Sequence, residues 1–383
     1  MRAGQGIIVI SITLLMLGVV MVNSAGMQVS QDPLSFEDML ASRPTMLAFF
    51  AILAMFIGSR FPLHFFEKRL LKIPLVLWLL PLSVLLLFCV YMPSIGREVN
   101  YSSRWVTFGA ISFQPSEVAK WSMVLIVAWW GSNQFQHVGN FWRGFVLPIS
   151  GIGVIAAIIA VEDLGTAVLI FTVACLVLFA SGAKLLHFAT LVPIAIAGFA
   201  FAVITSPYRI ARLQAYLHPF DDPEQNGYHI LQSMSTISGG GLFGLGLGNG
   251  IHKFGYLPED TTDFIFSVIC EELGLIGAIA VASLYIGLVI LGVCVIRKTK
   301  SAFLQLIAFG IVVTVGLQAC MNILVVTALI PTKGIALPLL SNGGTGWLLT
   351  AFCIGLIDAI DRKNDTVLSM HTHHIDVSTP SHA

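Results

Sequence analysis

Charge is what this 383-residue chain has least of. Asp, Glu, Lys and Arg together make up 10% of it, against roughly 25% in soluble proteins. Twenty basic and 20 acidic residues cancel to a formal charge of zero, while 56% of the chain is hydrophobic and the mean hydropathy is +0.88. A soluble chain of this length could bury a large core, but its surface would still need charge. The shortage excludes a soluble enzyme, a nucleic-acid binder that relies on net basic charge and an acidic disordered protein. CxxC pairs and metal-ligand clusters are also lacking. The six cysteines, Cys89, Cys175, Cys270, Cys294, Cys320 and Cys353, lie in or beside apolar runs and read as small buried apolar residues. What remains is a polytopic membrane protein with one membrane domain.

Long apolar runs are abundant. A hydrocarbon core of roughly 30 Å needs about 20 apolar residues as a helix. Ten candidates fall near 6–25, 45–61, 73–93, 117–132, 144–161, 164–182, 186–205, 263–296, 302–330 and 341–360. The expected class is therefore an all-α polytopic membrane protein of about ten transmembrane helices. The first run is too long for a signal peptide, and its only preceding charge is Arg2, so it reads as a retained span. The runs are neither short nor alternating, which excludes β-barrel strands.

Arg2, Arg60, Lys68, Arg69, Lys72, Arg143, Lys184, Arg297, Lys298, Lys300, Arg362 and Lys363 all fall on one side of this topology. The excess of Lys and Arg assigns that side, and both termini, to the cytoplasm. It carries a net charge of +7, and the opposite side and rim carry −7. Residues 1–363 then form a single ten-span domain with external loops at 94–116 and 206–262. Residues 364–383, polar and containing His371, His373, His374 and His382, read as a disordered cytoplasmic tail, with metal binding as the alternative.

Candidate chemistry lies at the external rim. Span 8, from Asp263 to Ile296, would be roughly 51 Å long as a helix, too long for the hydrocarbon without strong tilt. Its acids, Asp263, Glu271 and Glu272, precede the uninterrupted apolar part that starts near Leu275. Asp263 is either a functional acid or a helix N-terminal acid favoured by the macrodipole. Glu271 and Glu272 suit orienting or structural roles. Arg104 and Trp105 precede Gln114-Pro115-Ser116-Glu117, where Pro115 suits a first helical turn. Glu117 and Lys120 are spaced to pair, either as a local ion pair or as part of a substrate site, and Trp105 suits an interfacial anchor. Arg209 and Arg212, also three apart, match an anion such as pyrophosphate or lipid headgroups. The glycine run from Ser238 to Gly250 has no GK[ST] ending and no strand–helix context, so nucleotide binding is rejected in favour of a tight turn packed near a membrane substrate. Asn322, Lys333, Pro338 and the run from Ser341 to Gly346 surround the entrance to span 10. That segment reads as irregular backbone covered by protein or a wet cavity.

Taken in order, several of these pieces resemble the SEDS family (shape, elongation, division and sporulation), which contains FtsW, RodA and SpoVE. They are Gln114-Pro115-Ser116-Glu117 with Lys120, Glu162-Asp163-Leu164-Gly165-Thr166, Gly227-Tyr228, Tyr256-Leu257-Pro258-Glu259 before Thr262-Asp263-Phe264, Glu271-Glu272-Leu273-Gly274, and Leu337-Pro338 with Ser341 and Gly343-Gly344. The likeness covers nearly the whole chain. His229, Thr261, Asn342 and Thr345 depart from the usual pattern, and the Pro331-Thr332-Lys333-Gly334 turn looks more like the division branch than the elongation branch. The resemblance implies a SEDS fold and polymerisation of lipid II by a peptidoglycan glycosyltransferase at the outer face of the bacterial cytoplasmic membrane during cell division. It implies a class B penicillin-binding protein and other divisome proteins as partners, with Asp263 at the position of the family's essential acid.

From this resemblance and the chemistry follow the expected roles. Asp263 would be the general base towards the acceptor hydroxyl. Arg104, Lys120, Arg209, Arg212 and Lys333 would stabilise the pyrophosphate or orient it, with Trp105, Glu117, Asp163 and Ser341 completing the substrate site. No cofactor is obligatory from the sequence, although Mg²⁺ or Mn²⁺ could bridge the phosphates. The competing functions are a lipid II flippase, an elongation-type polymerase and a non-catalytic scaffold. Charges at the rim rather than at mid-membrane favour external chemistry over transport.

Overall fold

The computed structural model describes residues 1–26, 36–92, 96–99, 102–108, 111–134, 139–225, 227–251 and 261–377. The Tyr256-Leu257-Pro258-Glu259 motif lies outside them. The polypeptide is a bundle of helices in chain order: α1 (Ala3–Ala25), α2 (Phe36–Ala41), α3 (Arg43–Ser59), α4 (Leu79–Cys89), α5 (Pro115–Asn133), α6 (Leu147–Glu162), α7 (Leu164–Ala180), α8 (Leu185–Ala189), α9 (Leu191–Ile204), α10 (Pro207–Leu217), α11 (Tyr228–Gly239), α12 (Ile265–Lys298), α13 (Ala302–Val326) and α14 (Thr345–Val377). A 3₁₀ turn at Leu75–Trp78 extends α4 and a π turn at Phe141–Val146 extends α6.

Every one of the ten expected spans has a helical counterpart. Ala3–Ala25, Phe141–Glu162, Leu185–Ile204, Ile265–Lys298 and Ala302–Val326 are each long and apolar enough to cross a membrane. Arg43–Ser59, Leu75–Cys89 and Leu164–Ala180 are shorter apolar helices. The boundaries follow local chemistry. Ser42 caps α3, with Pro44 in its first turn, and Pro115 opens α5 where its missing N–H costs nothing. Leu185–Ile204 is apolar on all sides and buries none of its residues in the protein, as a helix surrounded by lipid requires.

The core runs through α1, α3, α5, α7, α12, α13 and α14, with Leu14, Ala51, Val127, Val177, Leu288, Ile307 and Ile354 fully or almost fully buried. α3 lies along α14, and α1 along α12. Gly58 and Gly355 let the first pair approach to backbone contact, since a β-carbon on Gly355 would meet Met55 O. Gly4 N donates to Asp361 Oδ2 at 2.9 Å and Asn364 Nδ2 to Thr299 Oγ1 at 3.0 Å. The start of α1 and the ends of α3, α12 and the apolar part of α14 therefore share one face, and the carboxylate-bearing connections lie on the other.

The structure adds to or corrects these expectations at four places. The external loop 94–116 carries a small sheet. β3 (Gly96–Val99), β4 (Ser102–Phe108) and β5 (Ile111–Phe113) form an antiparallel meander, with Val106 opposite Phe113 and Arg97 opposite Trp105. Trp, Val, Thr and Phe in β4 favour an extended backbone. A two-residue hairpin, β1 (Arg69–Leu70) with β2 (Ile73–Pro74), follows α3, and the membrane part is all-α as expected. Second, span 8 is broken: Gly274 within α12 has φ 67 and ψ −166. Third, α14 is helical as far as Val377, and no Gly or Pro interrupts the chain from Leu356 to Thr379. Fourth, Cys294 and Cys320 are exposed rather than buried, on apolar helices that face lipid, whereas Cys270 and Cys353 are buried.

Candidate active site

The break in α12 accounts for its excess length. The part from Leu275 to Lys298 is roughly 36 Å long at 1.5 Å per residue, enough to cross the membrane. The part from Ile265 to Leu273 is a separate short helix at the rim. A break leaves carbonyls and amides without helical partners, and the glycine run supplies them. Leu245 N and Gly246 N donate to Glu271 O and Glu272 O at 2.9 and 3.0 Å. Leu275 N and Ile276 N donate to Gly241 O and Leu242 O at 3.0 and 3.3 Å. The glycines are thus spent on backbone approach to α12 rather than on a substrate. Glu271 and Glu272 are fully buried. Glu271 Oε1 accepts from Ile251 N at 2.9 Å, and Glu272 accepts from Ser24 Oγ at 2.8 Å. Both carboxylates tie the rim helix to its surroundings, in keeping with the orienting role expected for them.

Asp263 lies in the turn immediately before this rim helix and is half-buried. Two amides on α13, one helical turn apart, build its setting. Asn322 Nδ2 donates to Asp263 O and to Ile335 O, both at 2.8 Å. Gln318 Nε2 donates to Ala336 O at 2.8 Å. The irregular segment 331–344 is thereby hung on α13, and Asn342 N donates to Thr261 O at 2.9 Å, joining it to the Asp263 turn. Gly334 passes closest to the acid: a β-carbon there would stand 2.9 Å from Asp263 Oδ2 and 3.4 Å from Arg104 Nη1. Carboxylate and guanidinium thus face the same point.

Arg104 comes from β4. Its Nε and Nη2 donate to Glu162 O at 3.0 and 2.8 Å, and Nη1 is 3.9 Å from Asp163 Oδ2. Asp163 caps α7, accepting from Thr166 N at 3.0 Å and Thr166 Oγ1 at 2.8 Å. A small cavity beneath Arg104 is bounded by Tyr91, Ser116, Ile159, Glu162 and Asp163. Arg212 stacks on Tyr208, 4.5 Å from the ring centre, and donates to Thr332 O at 3.3 Å. Burial lowers its pKa, and the charge of Arg104 adds to that; Tyr208, Asp263 and Asp163 act in the opposite direction. Lys333, 5.8 Å from the Phe199 ring centre, is likewise lowered by burial and partly restored by Asp163. Arg104, Arg212 and Lys333 therefore gather with Glu162, Asp163 and Asp263 at one rim.

Five other expected site residues take different places. Arg209 does not join Arg212: it donates to Ala160 O, Val161 O and Ala202 O at 2.6–2.9 Å, capping the carbonyl ends of α6 and α9, where a cation is favoured. Trp105 follows Arg104 along a strand, so it points to the opposite face of the sheet. Ser341 is fully buried and accepts from Leu337 N at 2.7 Å, which makes it a turn-forming residue. Glu117 and Lys120 do pair, at 2.7 Å, but inside the bundle. Lys120, 2% exposed, also donates to Gln318 Oε1 at 2.9 Å, so the pair braces Gln318 and through it the 331–344 segment. Gln318 was not singled out from the sequence. The available signal was two amides, Gln318 and Asn322, spaced i,i+4 in an otherwise apolar span.

The family model described as a cell cycle protein, covering FtsW, RodA and SpoVE, matches residues 5–366. A "Probable peptidoglycan glycosyltransferase FtsW" of Geobacter sp. (strain M18) is 34% identical over 355 residues, covering 92% of this chain and 94% of that protein. "Stage V sporulation protein E" of Bacillus subtilis (strain 168) is 35% identical over 358 residues, 93% of this chain and 96% of its own length. Among solved structures, a chain from "Structural coordination of polymerization and crosslinking by a peptidoglycan synthase complex" superposes with a TM-score of 0.73 at 25% identity, covering 94% of this chain and 98% of that one. The Thermus thermophilus rod shape determining protein RodA superposes at 0.65 with 23% identity, over 94% and 96% of the two chains, and shares the fold. With a family model matched from the first helix to the last and relatives aligned over nine-tenths of its length, the chain is a polytopic membrane protein of the FtsW/RodA/SpoVE cell cycle family, the SEDS group that its motifs resemble.

Proposed function

We propose that this protein is a division-type peptidoglycan glycosyltransferase that polymerises lipid II at the outer face of the bacterial cytoplasmic membrane, with both termini in the cytoplasm and Asp263 as general base. The observation that carries the reading is the meeting of Asp263 with Arg104 beside Gly334, flanked by Arg212 and Lys333. Transfer from a lipid-linked donor needs two things at one place. A carboxylate accepts the proton of the attacking 4-hydroxyl as charge develops, and cations stabilise the departing pyrophosphate. Gly334 leaves space next to the acid that any side chain would fill. Asp163 gives both its oxygens to Thr166 and serves to orient Arg104 rather than to hold a metal. A divalent ion, Mg²⁺ or Mn²⁺, would then be carried on the phosphates. A class B penicillin-binding protein is the proposed partner, by likeness to the synthase complex.

The flippase alternative draws support from the broken helix, a feature of transporters. The break at Gly274 is, however, closed on both sides by the glycine loop, so its backbone dipoles serve the protein rather than a translocated group. The deciding experiment incubates purified protein, alone and with its co-purified partner, with lipid II and resolves glycan ladders on a gel. Asp263→Asn is expected to lower polymerisation by about 10²–10⁴-fold, the usual range for a general base. Polymerisation at the normal rate by Asp263→Asn would refute the assignment, and lipid II exposure across vesicles without ladders would favour the flippase.

A further inference from the structure

The face opposite Asp263 carries a second constellation that this reaction does not use. α3 ends at Ser59, and the chain turns through Arg60, Phe61 and His64 before the β1–β2 hairpin. α14 passes alongside with Asp358, Arg362 and Lys363. Between them lies a cavity of ≈ 430 Å³ whose lining includes Ser59, Arg60, Phe61, His64, Arg362 and Lys363.

Its charges do not balance. Arg362 Nη2 donates to Ser59 Oγ at 2.7 Å and Asp358 Oδ2 at 2.8 Å, and Asp358 also lies 3.8 Å from Arg2. Asp361, the other acid of that turn of α14, is fully buried and accepts from Gly4 N. Asp365, further along α14, lies 3.9 Å from Arg2, so the acids of α14 beside the cavity are occupied, and Glu67, at the end of the 3₁₀ turn, is exposed and does not line the cavity. Arg60, His64 and Lys363 are exposed, and among the described residues their side chains make no hydrogen bond or ion pair. The cavity therefore has a neutralised wall and a rim with two uncompensated cations and a histidine, a setting for a phosphate group.

Adjacent surfaces indicate which phosphate. The 3₁₀ turn and hairpin beyond the cavity expose Phe65, Leu70, Leu71 (77%) and Ile73, interleaved with Lys68, Arg69 and Lys72. Exposed apolar side chains alternating with cations mark an element lying in the interfacial region, with its basic groups at headgroup level. That places the cavity mouth at headgroup depth. α3, which forms one wall, exposes Leu53, Phe56 and Ile57 along its membrane-facing side, a continuous apolar track leading from the cavity into the bilayer.

We propose that this cavity binds the phosphate headgroup of an anionic phospholipid in the leaflet on the terminal face, with its acyl chains lying along α3. The test is native mass spectrometry of the full-length protein in detergent, titrated with phosphatidylglycerol, phosphatidylcholine or inorganic phosphate. Wild type is expected to retain phosphatidylglycerol in preference to phosphatidylcholine. Arg60→Gln/Lys363→Gln is expected to lose roughly 30-fold in phosphatidylglycerol affinity, from the usual contribution of a surface cation to anionic-lipid binding, with phosphatidylcholine unchanged. Arg60→Lys/Lys363→Arg, which keeps both charges, should retain the lipid. Arg143→Gln/Lys184→Gln removes two exposed cations from other connections on the same side and should behave as wild type. Were the double variant to fold poorly, each single variant should still lose about fivefold. Unchanged phosphatidylglycerol affinity in the cavity variants, an equal loss in the Arg143/Lys184 control, or inorganic phosphate binding as tightly as the lipid would each overturn the proposal.

Discussion

Gly274→Ala tests whether the glycine loop fastens the broken helix. At φ 67 and ψ −166 the backbone occupies a region essentially reserved for glycine, and an L side chain there costs on the order of 1–3 kcal/mol. The added methyl also has no room: its carbon would stand 2.5 Å from Leu242 O and would overlap Gly244 N. The loop must retreat, and four backbone hydrogen bonds cross that contact. Losing two of them adds roughly 2 kcal/mol at about 1 kcal/mol each, and more where the freed groups meet hydrocarbon instead of water. The expected loss is therefore about 3–5 kcal/mol, seen as a melting temperature of the purified protein lower by roughly 5 °C. Gly153→Ala is the matched control. It lies within α6 with no atom within 4 Å of the new β-carbon and should be neutral or stabilising by about 0.5–1 kcal/mol. If Gly274→Ala melts within a degree of Gly153→Ala, the loop does not hold the break as described. Under the proposed function, Gly274→Ala should also impair polymerisation with Asp263 intact, because the rim helix that follows Asp263 is anchored through this contact.

Lys120→Met should destabilise the protein by about 3–5 kcal/mol, because it leaves Glu117 without its cation inside the bundle. Lys120→Met/Glu117→Gln should recover much of that loss, and a double variant no more stable than Lys120→Met would show that the pair is not coupled. Lys333 gives a pH signature. Burial lowers its pKa below the ordinary 10.5, so the folded state holds the proton less tightly than the unfolded state. Its destabilising contribution is complete below the lowered pKa and is relieved as pH rises from there towards 10.5. Lys333→Met should accordingly raise the melting temperature at pH 7 by an amount that shrinks over that alkaline window, while reducing polymerisation. A gain independent of pH would refute the desolvation argument.

Much of the membrane architecture was legible because the bilayer imposes it residue by residue. Ten apolar runs became helical segments, and the Lys/Arg asymmetry matches a real division, with Arg2, Arg60 and Arg362 gathered at one face and Asp263, Arg104 and Lys333 at the other. The excess length of span 8 was also readable, but not its resolution into two helices. The sequence shows Gly274 only as one glycine among 35, and its positive φ is possible because a loop some thirty residues earlier supplies the missing hydrogen bonds. The sheet at 96–113 escaped for a related reason: its strands are short and flanked by apolar spans that dominate any window.

The site divides in the same way. Residue types and their order were enough to place Asp263, Arg104, Arg212 and Lys333 at one membrane rim and to pair Glu117 with Lys120, since these depend on topology and on helical spacing. Only the tertiary structure decided which cations share a point with the acid. It spent Arg209 on the carbonyl ends of α6 and α9, turned Trp105 to the other side of a strand, buried Ser341 in its own turn, and recruited Gln318 and Asn322 as the supports of the 331–344 segment. Hydrophobic length is a local quantity summed along the chain, so sequence alone determined the spans. A hydrogen bond between segments depends on where both backbones lie, and that is fixed only when the helices pack.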